Sequence, residues 1–380
     1  MHIRAAQPAP PEAAMTAKRA PTVLIMAAGT GGHVFPAICI ARELQRAGAR
    51  IHWLGTRTGM ENKLLQEERY PFHAITATGL RGSSLRQRLR APSMLLRSLW
   101  QALRIMRRVK PDCLLGMGGY VSGPGALAGR LLRIPVLIHE QNAVPGYSNQ
   151  LISRWANRIF EAFPGTFPDD ERVVFTGNPV RDEIARIGRD RRYLPRKGPM
   201  RLLVLGGSQG AQALNVLIPE LIATWPGKQS PEVLHQCGAA TMSATMRRYH
   251  ELDVELSGAH RLVGFIREMA DAYAWADLVL CRSGASTVAE IAACGLPAIF
   301  VPYPHHEDQQ QLLNARWLAS RQAAEIVEQS DLSVERLREI LTRLDGNRDW
   351  VAEMARRARD MAVPDAALRV ARSCLEVIDG

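Results

Sequence analysis

The chain has 380 residues, of which 47% are hydrophobic and 22% charged, and its formal net charge is +11. A single hydrophobic core would be strained at this length, so we expect a soluble globular protein with two domains. No uninterrupted apolar run reaches the roughly 20 residues that a spanning helix needs, which argues against an integral membrane protein. The six cysteines are scattered without a CxxC pair, a pattern typical of reduced thiols, and we expect no structural metal.

The first residues of the chain have a composition of their own. Residues 1–20 are rich in proline and alanine and lack the apolar core of a signal peptide. This composition predicts a disordered leader. We therefore expect the fold to begin near Pro21.

Residues 79–110 combine nine lysines and arginines with no acidic residue, and leucines, Met94 and Trp100 are interleaved among them. A basic face beside an apolar one, with few aromatic rings to stack on bases, favours an anionic membrane over nucleic acid as the partner. For residues 94–109 the alternative is an amphipathic helix whose apolar face is core and whose arginines are merely solvated. We expect residues 80–90 to form a loop and to be the better membrane candidate.

Two segments share one pattern, in which a short apolar strand leads into a glycine-rich turn and then into a helix. In the first segment the three parts cover residues 23–27, 28–33 and 34–46. In the second segment they cover residues 202–205, 206–210 and 211–222. The repeated pattern predicts two nucleotide-type domains, each opened by a glycine turn.

Further strand-like runs alternate with helical stretches along both halves of the chain. They cover residues 51–54, 113–115, 135–139, 172–175, 233–236, 278–281 and 298–301. This alternation predicts an α/β protein with parallel sheets and a domain boundary after Gly177-Asn178-Pro179, near residues 186–199. Ligands of such sheets bind beyond the carboxyl ends of the strands, so two facing domains would place their motif loops in one shared cleft.

Neither glycine turn fits the dinucleotide fingerprint, because Val34 stands where a third glycine would have to follow Gly29 and Gly31. The strand over residues 51–54 leads into Gly55-Thr56, with no acidic residue to hold a ribose hydroxyl as NAD requires. The lysine-containing phosphate-loop motif is also missing from the sequence. What remains are bare amides and helix amino ends that can hold phosphate oxygens, although such turns are also ordinary strand-to-helix connections.

Residues 282–290 follow the strand over residues 278–281 and open a helix. Thr287 and Glu290 fit a capping box, which is a structural interpretation. In the functional interpretation, loop amides approach a sugar or a phosphate and Glu290 accepts both hydroxyls of a ribose, since one carboxylate can accept two hydrogen bonds. Both interpretations stay open on the pattern alone.

Polar residues stand at the carboxyl ends of two other strands. One strand ends in His139-Glu140-Gln141-Asn142, and another leads into residues 118–125, which read GGYVSGPG. Side chains there point into the predicted cleft, so the His-Glu pair is either a structural pair or part of a catalytic site. No Asp-x-Asp triplet offers ligands for a metal on a diphosphate, so helix amino ends and Arg181 are expected to stabilise that charge.

A series of segments, in register from about Pro21 to the helix after Pro364, carries a resemblance to a known family. They read AGTGGHVFPA, GLRG, GMGGYVSGPGALA, IPVLIHEQNAVPG, AFPG, FTGNPVR, LGGSQGAQALN, YAWADLVLCRSGASTVAEIAACGLPAIFVPYP and DQQQLLNA. These segments closely resemble the MurG family. The resemblance implies a GT-B fold, with two Rossmann-like domains facing across a cleft. It also implies inverting transfer of GlcNAc from UDP-GlcNAc to undecaprenyl-pyrophosphoryl-MurNAc-pentapeptide, in peptidoglycan synthesis, without a metal or a cofactor.

The resemblance also assigns domains and a donor site. Residues 21–180, joined by a C-terminal helix over residues 364–380, would form an acceptor and membrane-associating domain, and residues 181–363 would bind UDP-GlcNAc. By motif position the substrate-binding residues would be Thr30, Gly31, Gly32, Asn142, Arg181, Ser208, Ile266, Ala285, Ser286, Thr287, Val288, Ala289, Glu290, Gln309 and Gln310. The protein would attach peripherally to the cytoplasmic face of the plasma membrane, with cell-wall synthesis proteins as partners.

The implied reaction is attack of the MurNAc 4-hydroxyl on carbon 1 of GlcNAc, on the face opposite UDP, which gives a β-linkage. It requires a base, and His33 is the first choice because an imidazole suits proton transfer near neutral pH. Glu140 is the rival base, and Tyr120 is the candidate orienting residue. The competing functions are another GT-B UDP-sugar enzyme, such as an epimerase or a glycolipid synthase, and a non-catalytic UDP-GlcNAc-binding protein. The GGYVSGPG and HEQN motifs favour the transferase.

Overall fold

The structure of the chain, a computed structural model, describes residues 19–66, 68–77, 85–190, 196–207, 210–226, 230–305 and 308–380. Most of the predicted leader therefore lies outside the described residues, and its disorder stays a prediction. Arg19 already belongs to the folded part, because its guanidinium lies 2.8 Å from the carboxylate of Asp112. The first strand begins at Thr22, one residue after the predicted start.

The first half of the chain forms a seven-stranded parallel sheet within the described residues. Its strands are β1 (Thr22–Met26), β2 (Arg50–Gly55), β3 (Phe72–Ala74), β4 (Cys113–Gly116), β5 (Val136–Glu140), β6 (Arg158–Glu161) and β7 (Val173–Phe175). Its helices are α1 (Gly31–Arg46), α2 (Glu61–Leu64), α3 (Leu85–Val109), α4 (Ser122–Leu131) and α5 (Tyr147–Ile152). The strand order is β3-β2-β1-β4-β5-β6-β7. All residues of β1 are buried, as expected when helices cover both faces of a parallel sheet.

The second half forms a six-stranded parallel sheet within the described residues. Its strands are β8 (Arg201–Leu205), β9 (Glu232–Gln236), β10 (His260–Val263), β11 (Leu278–Cys281), β12 (Ala298–Phe300) and β13 (Ala324–Ile326), in the order β10-β9-β8-β11-β12-β13. The helices are α6 (Asp182–Asp190), α7 (Gln212–Ala223), α8 (Met242–Glu251), α9 (Met269–Trp275), α10 (Ala285–Cys294), α11 (Gln310–Ala319), α12 (Val334–Asp345), α13 (Arg348–Asp360) and α14 (Ala366–Asp379), with a 3-10 turn over Ala239–Thr241. The predicted α/β architecture with two parallel sheets is confirmed.

The last helix, α14, packs on the first half of the chain rather than on the second. Its residues Val370, Ala371 and Cys374 are buried in the same core as Val34 and Cys113. Burial of a large apolar side chain contributes about 1 to 3 kcal/mol. These contacts therefore stabilise the packing of α14 on the first half. The carboxyl-terminal segment therefore ties the two halves together.

Helix α3 corrects one prediction. Residues 85–90, expected as a loop, form its first turns, because the leucines, arginines and glutamine there favour a helix and no stop signal separates them from the residues that follow. Further along, Ala102 and Met106 are buried in the core, whereas Leu96 and Trp100 are 67% and 60% exposed. Residues 78–84 lie outside the described residues. In the described part of the chain, we find no helix that combines the length and the apolar character needed to span a bilayer.

Candidate active site

Four glycine-rich loops lie at the places where the strand order of each sheet reverses. In the first sheet this place is between β1 and β4, and in the second it is between β8 and β11. Open α/β sheets bind ligands at such points, beyond the carboxyl ends of the strands. The loops after β1 and β4 carry Thr30 and Tyr120, and Ser286 lies in the first turn of α10, directly after the loop that follows β11. Ser208, in the loop after β8, lies outside the described residues.

The loops after β1 and β4 touch each other and bring two candidate residues together. Gly119 has a φ of +76°, and a Cβ there would lie only 2.5 Å from the carbonyl oxygen of Ala28. A Cβ at Gly118 would lie 3.0 Å from the ring of His33, and one at Gly29 would lie 3.7 Å from the ring of Tyr120. Glycines thus permit this close approach. The structure therefore places His33 and Tyr120 at the contact between these two loops.

The Glu140 carboxylate, at the end of β5, organises the loop that follows it. Its Oε1 accepts hydrogen bonds from the backbone N–H and the side-chain amide of Asn142, at 3.1 and 3.2 Å. Its Oε2 accepts from the Gly146 N–H at 3.0 Å and from the Asn149 amide at 2.9 Å. Because Glu140 is buried and both oxygens are engaged, this geometry favours a structural role over proton transfer.

His33 lies in the first turn of α1, where the ring is half-buried. Its Nδ1 lies 2.7 Å from Oε1 of Gln141, the residue after Glu140. Gln141 itself is buried. Gln141 belongs to the HEQN motif, but the sequence analysis gives it no role. Its contact with His33, which is distant in the chain, leaves no local signal in the sequence.

The start of α10 corrects the capping-box interpretation. The cap position is Gly284, whose backbone is extended, so Thr287 lies inside the first turn. Glu290 also does not reach back to the helix start, because its carboxylate bonds elsewhere. Ser286 Oγ is buried and makes no hydrogen bond among the described residues. The first N–H groups of a helix have no partner within the helix and carry partial positive charge, so this end suits an anion.

Glu290 and Arg181 form an ion pair beside the start of α10. Arg181 Nη2 lies 3.0 Å from Glu290 Oε1, and the Tyr273 hydroxyl donates to Oε2 at 2.9 Å. The side chain of Glu290 is only 13% exposed. Burial raises the pKa of Glu290, and the neighbouring Arg181 offsets part of that rise. Arg181 also stacks over Phe35 of α1, with its guanidinium carbon 5.0 Å from the ring centre, so it contacts both halves of the molecule.

Asn314, a buried residue of α11, joins the two halves directly. Its amide donates to the side chain of Asn142 at 3.3 Å and to the carbonyl of Ser283 at 3.2 Å. Its Oδ1 accepts from the N–H of Ala143 at 2.8 Å. On the same front, a Cβ at Gly32 would lie 3.9 Å from Ser286 Oγ. The loops of the two sheets therefore face each other across a narrow cleft. Asn314 belongs to the DQQQLLNA motif, but the sequence does not predict that it bridges the two halves.

The remaining predicted residues line the second half or its core. Val288 and Ala289 are buried in the core, and Val288 already donates its N–H to Gly284. Ile266 is half-buried, between β10 and α9. Gln309 and Gln310 stand at the start of α11, where Gln309 has a φ of +48°. Among the described residues, no three His, Cys, Asp or Glu side chains are grouped as metal ligands would be.

Comparison with known proteins gives the class of the molecule. Residues 23–161 match the glycosyltransferase family 28 N-terminal domain, and residues 201–370 match the glycosyltransferase family 28 C-terminal domain. Two parallel-sheet halves that face each other across a cleft, together with these matches, define a glycosyltransferase of the GT-B fold. The structure of UDP-GlcNAc 2-epimerase from Neisseria meningitidis is 13% identical, with a TM-score of 0.66 over 94% of this chain and all of that one. At this identity the likeness shows the fold alone.

Closer relatives give the particular family. Proteins of Nitrosococcus oceani and Azotobacter vinelandii are both 48% identical to this chain, over 94% of its length and 99% of theirs. Both are named UDP-N-acetylglucosamine--N-acetylmuramyl-(pentapeptide) pyrophosphoryl-undecaprenol N-acetylglucosamine transferase. The crystal structure of Acinetobacter baumannii MurG is 40% identical, covers 94% of this chain and 99% of its own, and has a TM-score of 0.77. The chain belongs to the MurG family, as its motifs predicted.

Proposed function

We propose that the protein transfers N-acetylglucosamine from UDP-GlcNAc to the MurNAc 4-hydroxyl of undecaprenyl-pyrophosphoryl-MurNAc-pentapeptide, with inversion at carbon 1. The observation that carries this proposal is the opposition of two loops across the cleft. The glycine turn with His33 faces the helix start with Ser286, and Asn314 bridges the two sides. A donor diphosphate at the helix start would therefore hold its sugar toward the imidazole.

The proposed division of labour follows the two sheets. Residues 21–180 with the helix over residues 364–380 take the acceptor, and residues 181–363 take the donor. The position of α14 in the core of the first half supports this division. On the donor side, the amino end of α10 and Arg181 would stabilise the charge of the leaving UDP. On the acceptor side, His33 would take the proton of the attacking hydroxyl, with Tyr120 beside it.

The decisive test is release of UDP from UDP-GlcNAc with and without the lipid-linked acceptor. We expect release to require the acceptor and to match, mole for mole, the appearance of a lipid-linked disaccharide. An epimerase would instead convert the sugar nucleotide without any acceptor. A protein that only binds UDP-GlcNAc would release nothing in either case, and either of these results would contradict the proposal.

His33→Ala should lower turnover by roughly a hundredfold to ten-thousandfold, because a general base typically contributes that much. The dissociation constant for UDP should stay close to that of the parent, since the ring is not assigned to the nucleotide. Glu140→Gln provides the comparison, because it keeps the size of a residue whose oxygens hold the loop. If His33→Ala keeps near-normal turnover while Glu140→Gln is folded but inactive, Glu140 rather than His33 is the base.

Glu290→Ala should raise the dissociation constant for UDP about tenfold or more, because a hydrogen bond to a charged group contributes about 1.5 to 3 kcal/mol. Titration calorimetry with UDP measures this directly. Glu183→Ala is the matched control, since this more exposed carboxylate lies 3.9 Å from Arg181 but is not assigned to the ribose. The ribose role fails if folded Glu290→Ala protein binds UDP as tightly as the control does.

Membrane attachment is supported by exposed apolar side chains on three neighbouring helices of the first half. Helix α3 packs on α4, and α4 packs on α5. Large exposed apolar side chains lie on all three helices: Leu95, Leu96, Trp100, Leu127, Leu131, Tyr147 and Leu151. Arg104 and Arg130 stack on tryptophans of this region. We infer peripheral docking on anionic lipid at the cytoplasmic face of the plasma membrane, and contacts with cell-wall synthesis proteins stay a prediction.

The double variant Leu96→Ser, Trp100→Ser should bind phosphatidylglycerol vesicles at least tenfold more weakly, because each large side chain contributes about 1.5 to 3 kcal/mol when fully buried. Val216→Ser, an exposed apolar residue of α7 in the other half, is the control and should sediment with vesicles like the parent. Binding of the parent should also weaken steeply with salt, since basic residues contribute about 1 kcal/mol each. Equal sedimentation of the double variant, or indifference to vesicle charge, would overturn the docking proposal.

A further inference from the structure

A chain of hydrogen bonds runs behind the glycine turn, from the junction of the two halves to His33. His139 Nε2 lies 3.1 Å from the carbonyl oxygen of Gly177. The Gln141 amide nitrogen lies 3.0 Å from His139 Nδ1 and 3.1 Å from the His139 carbonyl oxygen. The Gln141 amide oxygen lies 2.7 Å from His33 Nδ1. His139 and Gln141 are 0% and 1% exposed, so water does not compete for these contacts.

Two backbone carbonyls fix the direction of every bond in this chain, because a carbonyl can only accept. The Gly177 carbonyl requires a proton on Nε2 of His139. Burial lowers the pKa of His139 to about 4, so the ring is neutral near pH 7 and its Nδ1 carries a lone pair. The His139 carbonyl requires the NH₂ group of Gln141 on its side, so the Gln141 oxygen faces His33. His33 must then donate from Nδ1.

We propose that Gln141 and His139 are positioning residues that hold His33 as the Nδ1–H tautomer and leave the lone pair on Nε2. This inference deepens the proposed function, since it rests on His33 as the base. In the reaction, Nε2 takes the proton of the acceptor hydroxyl while the hydroxyl oxygen bonds to carbon 1 and the bond to UDP breaks. The Gln141 oxygen then accepts a hydrogen bond from the imidazolium that forms, and this bond is stronger because the donor is charged.

The tautomer matters because a histidine free in water favours the proton on Nε2, which is the form that cannot accept there. In the Ser-His-Asp triad, an amide that imposes the wrong tautomer lowers turnover about 10⁴-fold. The His139-Gln141 pair holds the imidazole in one tautomer, as the aspartate does in that triad, but without a charge. It therefore sets the proton position while adding no carboxylate beside an anionic substrate.

Nitrogen-15 NMR of the full chain tests the tautomer directly, with the His33 signals assigned by their loss in His33→Gln. In the parent protein, with the His33 ring in its neutral form, we expect a protonated Nδ1 and a bare Nε2. A predominant Nε2–H ring would overturn the inference. If the ring is Nδ1–H but His33→Ala keeps its turnover, the tautomer lock stands and the base role falls. If the ring is Nε2–H and His33→Ala is inactive, the base role stands and the lock falls.

Gln141→Met removes the acceptor while nearly keeping the volume, so the Nε2–H form should become populated. Turnover should fall about 10- to 1000-fold, less than when a wrong tautomer is imposed, with KM for UDP-GlcNAc unchanged. His139→Phe should give a smaller fall, because the His139 carbonyl still orients Gln141. Asn215→Ala, which removes a buried amide of α7 in the second half that donates to the Cys237 carbonyl, is the control and should leave the His33 tautomer unchanged. A Gln141→Met spectrum identical to the parent's would contradict the inference.

Discussion

The site depends on one buried carboxylate. Glu140 ends a strand of the first sheet, and its four hydrogen bonds fold the following residues into one rigid turn. Hydrogen bonds to a charged group contribute about 1.5 to 3 kcal/mol each, whereas an unpaired buried carboxylate would be strongly destabilising. From this turn Gln141 reaches His33 in one direction, and Asn142 reaches Asn314 in the other. The proposed tautomer of His33 and the contact between the two halves at Asn314 therefore have a common structural origin.

The proposed donor side also contains a buried carboxylate that requires hydrogen-bond partners. Glu290 needs partners because its side chain is largely buried, and Arg181 and Tyr273 supply them in the described structure. A ribose that donates hydrogen bonds to Glu290 has to share the carboxylate oxygens with Arg181 and Tyr273. Arg181, which also stacks on Phe35 of the opposite half, would then be available to a phosphate of the proposed donor. In the proposed donor site, recognition of the ribose and stabilisation of the diphosphate would thus involve the same cation.

The sequence predicted the parts of the fold that have a strong local signal. Strands with long apolar runs lie within about two residues of their predicted positions, whereas β3, β6, β10 and β13 have no counterpart among the predicted strands. Three of these, β3, β10 and β13, are short edge strands, whose formation depends on pairing with a neighbour, and β6 has an apolar run of only two residues, Ile159-Phe160. The capping box failed because the helix begins at Ala285, ahead of Thr287, a boundary that local pattern does not fix. Gln141 and Asn314 belong to sequence motifs, but the motifs give neither residue a role. Their importance arises from contacts with residues distant in the chain, which no local pattern encodes.

Part of the exposed apolar surface lies on α4 and α5, the short helices that follow the proposed acceptor loops, and this constrains how a lipid-linked substrate can approach. Helix α4 starts just after Tyr120, at the glycine loop, and its exposed Leu131 lies at its far end. A helix of 10 residues is about 15 Å long. Tyr147, the first residue of α5, directly follows the Gly146 that Glu140 holds. If these side chains rest on lipid, the loops next to these helices lie within about the length of one short helix of the membrane surface. An acceptor whose sugar is joined to its lipid by a diphosphate alone cannot move far from the membrane, so the proposed acceptor loops have to lie near the surface that docks, as the exposed leucines of α4 and α5 would allow.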